Sequence, residues 1–395
     1  MADGPKLTAP GKIFVVLFIA VCFGGAYYLY VSKRPAAIAS VAPSSAGTGA
    51  NVRAEIGVAY GTEKQRWLEW AADEFAKSSD GSQIKVNLIP MGSIEGAHAL
   101  VAGDQRISVW SPASAAYKDA FLQDWQVKYN TNPFVKEEAL TLTPVVFVMW
   151  EERYQEFLRK YQALNFNTIS QALQEKSGWA GIAGKPDWGF FKFGHASPMA
   201  SNSGLMALVL AAYSYHQKTK GLELKEILNT GFQNWLQQFE RATSGMSNST
   251  GNMMREMVLK GPSSFDALLV YEAVTIDYLK NAEGRWGQIR VIYPEYTAWN
   301  ESPYYIINAP WVSDGQRLAA QKFLTFLLSE RVQKESLQHG FRPANPNVPV
   351  RFADSPLMMY AKYGVRVNLP KICEPPSSEV VNNLLAGWQR SQGSR

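Results

Sequence analysis

The sequence predicts an α/β fold that follows one N-terminal membrane-spanning helix. Two observations lead to this prediction. Short apolar runs alternate with helical patterns from residue 53 onward, and residues 13–32 carry no charge. Apolar residues make up 46% of the 395 residues and charged residues only 18%, so the chain has ample material for a hydrophobic core. The chain therefore divides into a membrane segment and a large folded part.

The N-terminal segment 13–32, IFVVLFIAVCFGGAYYLYVS, is long enough to cross a bilayer. As a helix it spans about 30 Å, the hydrocarbon thickness of a membrane. We expect an uncleaved anchor, because a cleaved signal peptide usually has a shorter apolar core. Cleavage and lipid attachment at Cys22 remain the alternatives. Residues 1–12 then form a short tail, and residues 33–52, rich in Ala, Ser, Pro and Gly, form a flexible linker.

Three strand–turn–helix units open the folded part. Strands are predicted at 54–60, 84–89 and 107–110, and each is followed by a sequence with helical spacing of its apolar residues. Such a succession of units is typical of a parallel sheet covered by helices.

The rest of the folded part continues the alternation. The almost wholly apolar run 144–150, PVVFVMW, predicts a strand buried on both faces. Further strands are predicted at 192–196, 267–271 and 289–293. A single long helix is predicted from Ser313 to about residue 338, ended by Gly340.

Small polar residues stand where these strands end. In open α/β sheets, ligands bind at the edge formed by the carboxyl ends of the strands. Ser, Thr and Asn at such positions also cap helices, so a purely structural role remains open for each of them. The candidate ligand-binding residues are Gly61, Thr62, Gly92, Ser93, Ser111, Ser201, Asn202, Ser203 and Tyr271.

Several other functions lack support in the sequence. The net charge of +5 is small for this length and no Lys/Arg-rich block occurs, so we expect no nucleic-acid partner. The two cysteines, Cys22 and Cys373, and the four histidines show no metal-ligand spacing. No nucleophile elbow, phosphate-binding loop or dinucleotide fingerprint occurs. We therefore predict a protein that is not an enzyme and needs no cofactor.

Several segments in order resemble a known family. They are IGVAYGTEKQRWLEWAADEFAKSS, VWSPASAAYKDAFL, GHASPMASNSGLMALVLAAY and SFDALLVYEAVTIDYL, and the resemblance covers roughly residues 53–350. The chain resembles the bacterial extracellular solute-binding proteins of the type 2 periplasmic-binding fold, in the broad group that includes the molybdate- and sulfate-type binding proteins.

The resemblance implies two α/β lobes joined by a hinge, with the ligand held in the cleft between them. On this reading residues 53–143 and 303–372 form lobe 1, residues 144–302 form lobe 2, and residues 373–395 form a C-terminal tail. The hinge strands are expected near 141–150 and 291–306. Trp299 becomes a further candidate for the cleft only through this resemblance.

The expected function is capture of a small polar solute outside the cell for an ABC-type importer. An oxyanion is the first candidate, because the helix start at Ser201–Ser203 presents free N–H groups and partial positive charge. Glu63 and Glu95 lie in first turns of the other lobe and would repel an anion, so a larger polar organic solute is the second candidate. A sensor or an assembly subunit of a membrane complex is the alternative. The expected location is the inner membrane, with the folded part on the extracytoplasmic side.

Overall fold

The computed structural model describes residues 53–282, 285–369 and 371–393. The predicted tail 1–12, the predicted anchor 13–32 and the whole predicted linker 33–52 lie outside these residues. Within the described residues, no helix combines the length and the apolar character that a membrane crossing requires.

The described residues contain thirteen strands. They are β1 (Ala54–Tyr60), β2 (Ile84–Pro90), β3 (Val109–Ser111), β4 (Phe134–Ala139), β5 (Thr141–Trp150), β6 (Phe193–Gly194), β7 (Ala267–Tyr271), β8 (Ile289–Ile292), β9 (Tyr296–Thr297), β10 (Trp299–Asn300), β11 (Pro303–Ile307), β12 (Arg342–Pro343) and β13 (Lys371–Ile372).

The same residues contain fifteen α-helices. They are α1 (Gln65–Ala76), α2 (Ser93–Ala102), α3 (Lys118–Tyr129), α4 (Glu151–Tyr161), α5 (Phe166–Leu173), α6 (Trp179–Ala183), α7 (Asn202–His216), α8 (Leu224–Ile227), α9 (Thr230–Ala242), α10 (Thr250–Lys260), α11 (Glu272–Ala282), α12 (Asp314–Leu327), α13 (Glu330–Gln338), α14 (Pro356–Met359) and α15 (Ser378–Gly393).

A five-stranded sheet forms the centre of the first half of the molecule, with strand order β2-β1-β3-β11-β4. Strands β1, β2 and β3 are parallel, as predicted, whereas β11 runs antiparallel to its neighbours. Tyr60 at the end of β1 pairs with Pro90 on one side and with Ser111 on the other. The polar turns that follow these three strands therefore begin side by side. We call this sheet, together with α1–α3, α12 and α13, the first lobe.

A second sheet has the order β10-β5-β7-β6, and β8 and β12 also pair with β5. Helices α4–α11 accompany this sheet, and we call the whole the second lobe. Its central helix is α7, in which every residue from Asn202 to Tyr213 is buried. Helix α7 is therefore buried on all sides, which explains why its sequence has no polar stripe.

The chain passes between the two lobes at neighbouring points. Leu140 links β4 to β5, and residues 301–302 link β10 to β11. The two links touch, because the Leu140 N–H donates to the carbonyl of Ser302 over 3.1 Å. Ser302 has a φ of 45°, in the left-handed region that non-glycine residues seldom adopt. The mixed α/β fold with two domains thus agrees with the predicted fold class.

One prediction about helices was wrong. The expected long helix of residues 313–338 is two helices, α12 and α13, because Ser329 adopts an extended conformation at the start of the second. The segment predicted as a C-terminal tail carries α15, whose Val380, Val381 and Leu384 are buried. This helix packs against α7–α9 and also touches α3 of the first lobe.

Candidate functional site

The start of helix α7 lies where the second lobe meets the first. Ser201 is its N-cap residue, but its side chain makes no capping hydrogen bond. Instead the hydroxyls of Ser201 and Ser203 share a hydrogen bond of 3.1 Å, and Ser203 shares another of 2.5 Å with Thr250. The serines therefore form a chain of hydroxyls and do not satisfy the backbone of their own helix.

Asn202 connects the two lobes through its side-chain amide. Its nitrogen donates to the Tyr271 hydroxyl over 2.9 Å and to the side-chain oxygen of Asn300 over 2.8 Å. Its oxygen accepts a hydrogen bond of 2.7 Å from Ser114, in the turn after β3 of the first lobe. Because Asn202 is only 2% exposed, these bonds are shielded from water.

The turn after β1 supplies the facing wall. The Gly61 N–H donates to the carbonyl of Ser111 over 3.0 Å, which joins the ends of β1 and β3. Thr62 shares a hydrogen bond of 3.1 Å with Ser249, which caps α10 in the second lobe. Thr62 and Ser249 therefore form a second direct contact between the lobes.

A buried ion pair lies directly behind this turn. The Lys64 ammonium is 2.5 Å from the Glu63 carboxylate, and their side chains are 0% and 5% exposed. Lys64 also donates to the carbonyl of Pro112 over 3.2 Å. Burial lowers the pKa of Lys64, and the nearby Glu63 carboxylate only partly opposes this effect. Glu63 is thus neutralised inside the first lobe.

The turn after β2 brings backbone of the two lobes into contact. A methyl group added at Gly92 would stand 2.2 Å from the carbonyl oxygen of Ala200 in the second lobe. The Gly92 N–H is capped by the Glu95 carboxylate over 3.0 Å, so Glu95 acts on its own helix. Ser93 is used inside the first lobe, where its hydroxyl accepts from the Ala113 N–H over 3.0 Å.

Two buried hydroxyls near this junction differ in their environment. The Ser111 hydroxyl is fully buried and has no hydrogen-bond partner among the described residues. Tyr271 is also buried, and burial together with the negative charge of Glu63 raises its pKa well above the ordinary value. Tyr271 therefore stays protonated and can donate one hydrogen bond while it accepts another from Asn202.

Trp299 lies in β10 beside Asn300, which accepts a hydrogen bond from Asn202. It pairs with Pro144 in the sheet, and the guanidinium of Arg342 lies 5.3 Å from the centre of its ring. Arg342 in turn holds the buried Glu272 carboxylate through hydrogen bonds of 2.9 and 2.8 Å. Trp299 thus contacts an ion pair near the crossing between lobes.

A groove of about 890 Å³ opens between the lobes beside Thr62. Its charged lining is balanced, with three guanidiniums and three carboxylates. These residues are Arg66, Arg255, Arg285, Glu63, Glu69 and Asp277. Arg66 crosses the groove to Asp277 over 3.0 Å. Arg255 and Arg285 make no ion pair within the described residues.

Several residues of this junction were not predicted from the sequence. Ser114, Ser249, Thr250 and Asn300 all bond to a predicted site residue. Ser249 and Thr250 begin a helix, a signal that resembles the one recognised at Ser201. No group of three or more His, Cys, Asp or Glu side chains suited to a metal ion occurs in the part of the chain that the structure describes.

Comparisons with solved structures define the class of this two-lobed fold. The sulfate-binding protein SubI from Mycobacterium tuberculosis H37Rv has a TM-score of 0.54 at 14% identity, covering 87% of this chain and 99% of its own. Iron-bound HitA from Pseudomonas aeruginosa has a TM-score of 0.55 at 14% identity, covering 86% of this chain and 99% of its own. The fructose-6-phosphate-bound AfuA from Actinobacillus pleuropneumoniae has a TM-score of 0.56 at 14% identity, covering 87% of this chain and 97% of its own. At such identities the likeness shows the fold, which is that of periplasmic binding proteins.

The family follows from the sequence itself. The profile of the family described as bacterial extracellular solute-binding protein matches residues 56–342, which is most of the chain. No curated relative matches at a significant level. The chain belongs to the bacterial extracellular solute-binding proteins, whose members bind solutes and are not enzymes.

Proposed function

We propose that the protein captures a small polar solute between its two lobes and delivers it to an ABC-type importer. The observation that carries this proposal is the convergence of Thr62, Ser114 and the α7 start on one interlobe cleft, in a chain of the solute-binding family. On the same proposal residues 13–32 tether the protein to the inner membrane, with the lobes on the extracytoplasmic side.

An oxyanion is the first candidate for the solute. The start of α7 carries backbone N–H groups and partial positive charge, and its Asn202 contacts Ser114 of the first lobe. Both carboxylates that argued against an anion have local partners, since Glu63 pairs with Lys64 and Glu95 caps its own helix. The guanidiniums of Arg255 and Arg285 add positive charge in the adjoining groove. One structural neighbour is named as a sulfate-binding protein.

The alternative is a sensor or assembly subunit that keeps the fold without transport. One observation favours it, because Ser114 and Asn202 already join the lobes through a direct hydrogen bond. A cleft whose closed form is held by its own side chains does not need a solute to close. The two functions differ in whether any solute stabilises the protein.

Thermal unfolding of the full-length protein with sulfate, phosphate and molybdate, and with amino acids, sugars and polyamines, separates the two. A solute at 100 times its Kd adds about 2.7 kcal/mol to the free energy of unfolding. Stabilisation by one class supports solute capture and names the class. No stabilisation by any class favours the sensor or assembly role.

A matched pair of variants tests the anion. Thr62 is partly exposed at the groove, so Thr62→Asp places a negative charge there without burying it. Thr62→Asn introduces a side chain of nearly the same shape as aspartate, but without its charge. An oxyanion held in the cleft should bind at least about tenfold more weakly to Thr62→Asp, which corresponds to 1.4 kcal/mol. Equal anion affinity in both variants would place the anion elsewhere.

A further inference from the structure

A separate cavity of about 360 Å³ lies on the second lobe, outside the interlobe cleft. This size falls in the range of about 300–1,000 Å³ that small-molecule sites occupy. Aromatic and polar side chains share its lining. They include Trp150, Arg153, Trp188, Pro262, Trp286 and Gln288.

Trp286 offers an open aromatic face to this cavity. One side of its indole packs against Gly261, where an added methyl group would stand 2.5 Å from a ring carbon. The indole N–H is anchored to the carbonyl of Leu259 over 3.3 Å. Even so, 48% of Trp286 remains exposed. An indole that is fixed along one side and bare on the other is a platform for a flat, partly apolar ligand surface.

Another part of the cavity lining is built differently. The ring of Trp188 meets Trp179 edge to face at 5.0 Å, and the Arg153 guanidinium lies 4.5 Å from its centre. Arg153 is held by Asp266 at 2.6 Å, and both side chains are almost fully buried. This wall is therefore rigid, since packing and charge fix each of its members.

Two of the three charged side chains that line the cavity are neutralised by ion pairs. Arg153 is neutralised by Asp266, and Glu151 by the two-point contact with Arg290 at 2.6 and 3.0 Å. The third, the Glu152 carboxylate, makes no ion pair within the described residues, so the cavity does not favour an anion.

We infer that this cavity binds a neutral pyranose saccharide of one or two rings. The C–H face of a pyranose packs on the bare indole of Trp286, while the exposed Gln288 amide and Glu152 carboxylate can bond its hydroxyls. A rigid aromatic wall with a few polar groups at the rim is the ordinary design of a small-ligand site. The inference does not depend on the solute bound between the lobes.

Isothermal titration and saturation-transfer NMR of the full-length protein with cellobiose, maltose and diacetylchitobiose test the site. The detergent must carry no sugar headgroup, because a glycoside detergent would compete. At least one disaccharide should bind with millimolar or tighter affinity, with its ring C–H protons closest to the protein. If none of the three disaccharides binds at a concentration of about 20 mM, the inference is overturned.

Variants locate the binding. Trp286→Ala should weaken it at least about tenfold, a loss of 1.4 kcal/mol, and Trp286→Phe should restore part of it. Gln288→Ala, at an exposed side chain, provides a second test if Trp286→Ala does not fold. Phe190 is a matched control, because it is 68% exposed and does not line the cavity.

The controls decide between this site and the cleft. Phe190→Ala and Thr62→Asp should leave disaccharide affinity unchanged. Equal weakening by Phe190→Ala and Trp286→Ala, or loss of binding in Thr62→Asp alone, contradicts a saccharide site in this cavity.

Discussion

Ser114 of the first lobe donates a hydrogen bond over 2.7 Å to the side-chain oxygen of Asn202, the first residue of α7 in the second lobe. The same amide bonds to Tyr271 and Asn300 within the second lobe. The Asn202 side chain thus connects Tyr271 at the end of β7 and Asn300 in β10 with the first lobe. Together with the hydrogen bond between Thr62 and Ser249, it joins the two lobes directly.

Asn202→Ala should lower the free energy of unfolding by about 1–3 kcal/mol, because it leaves buried partners of the amide without hydrogen bonds. Urea unfolding measures the change. Asn382→Ala, at an exposed position on α15, is the control and should have almost no effect. A change in Asn202→Ala as small as that of the control would mean that the network contributes nothing to stability.

Gly92→Ala should hold the lobes apart. The added methyl group would meet the Ala200 carbonyl at 2.2 Å, whereas the φ of −62° suits alanine. The clash is therefore between lobes and not within the turn. Small-angle scattering should show a larger radius of gyration, and solute affinity should fall. Gly315→Ala is the control, since its nearest neighbour would be 3.9 Å away. Identical scattering of Gly92→Ala and the native protein would argue against this contact.

Lys64→Met should destabilise the protein by about 3–5 kcal/mol, because the buried Glu63 carboxylate then lacks its counter-ion. The double variant with Glu63→Gln should recover most of that loss, since it removes both charges. Chemical unfolding of the two variants gives both values. If the double variant is no more stable than Lys64→Met, the loss arises from packing and not from the ion pair.

The buried His195 should make stability depend on pH. Its Nδ1 faces the Ala196 carbonyl at 2.8 Å and its Nε2 faces the Glu240 carboxylate at 3.1 Å. Both neighbours accept hydrogen bonds, so both ring nitrogens carry protons. Burial alone would lower the pKa of His195, but the Glu240 carboxylate and these hydrogen bonds outweigh it and raise the pKa above its ordinary 6.5.

The sign of this dependence follows from the raised pKa. The stabilisation is fully present below pH 6.5 and is lost as the pH rises through the higher value of the folded state. The difference in unfolding free energy between the native protein and His195→Gln should therefore shrink toward alkaline pH. A difference that stays constant from pH 5 to 9 would show that folding does not shift the pKa of His195. Burial lowers the pKa of His339, which is present in both proteins. Its effect therefore cancels when the unfolding free energies of the native protein and His195→Gln are subtracted.

Much of the fold could be predicted because it depends on local patterns. The strands at Ala54–Tyr60 and Ala267–Tyr271 were predicted with the bounds that the structure has. The break between α12 and α13 was missed, since the apolar spacing continues through Ser329. The packed helix α15 was missed for a different reason. Its apolar face acquires a partner only when distant helices come together.

The sequence by itself determined the α/β alternation, the polar ends of the strands and the family, because these reside in short-range spacing and in the order of segments. Only the tertiary structure decided what each polar end contacts. The serines at 201 and 203 looked like caps, yet the Ser201 hydroxyl bonds to Ser203, and Ser203 bonds to Thr250, a residue far along the chain. Asn202 bonds to Ser114, 88 positions away. Contacts across a cleft depend on how two lobes meet, and no local pattern encodes that geometry.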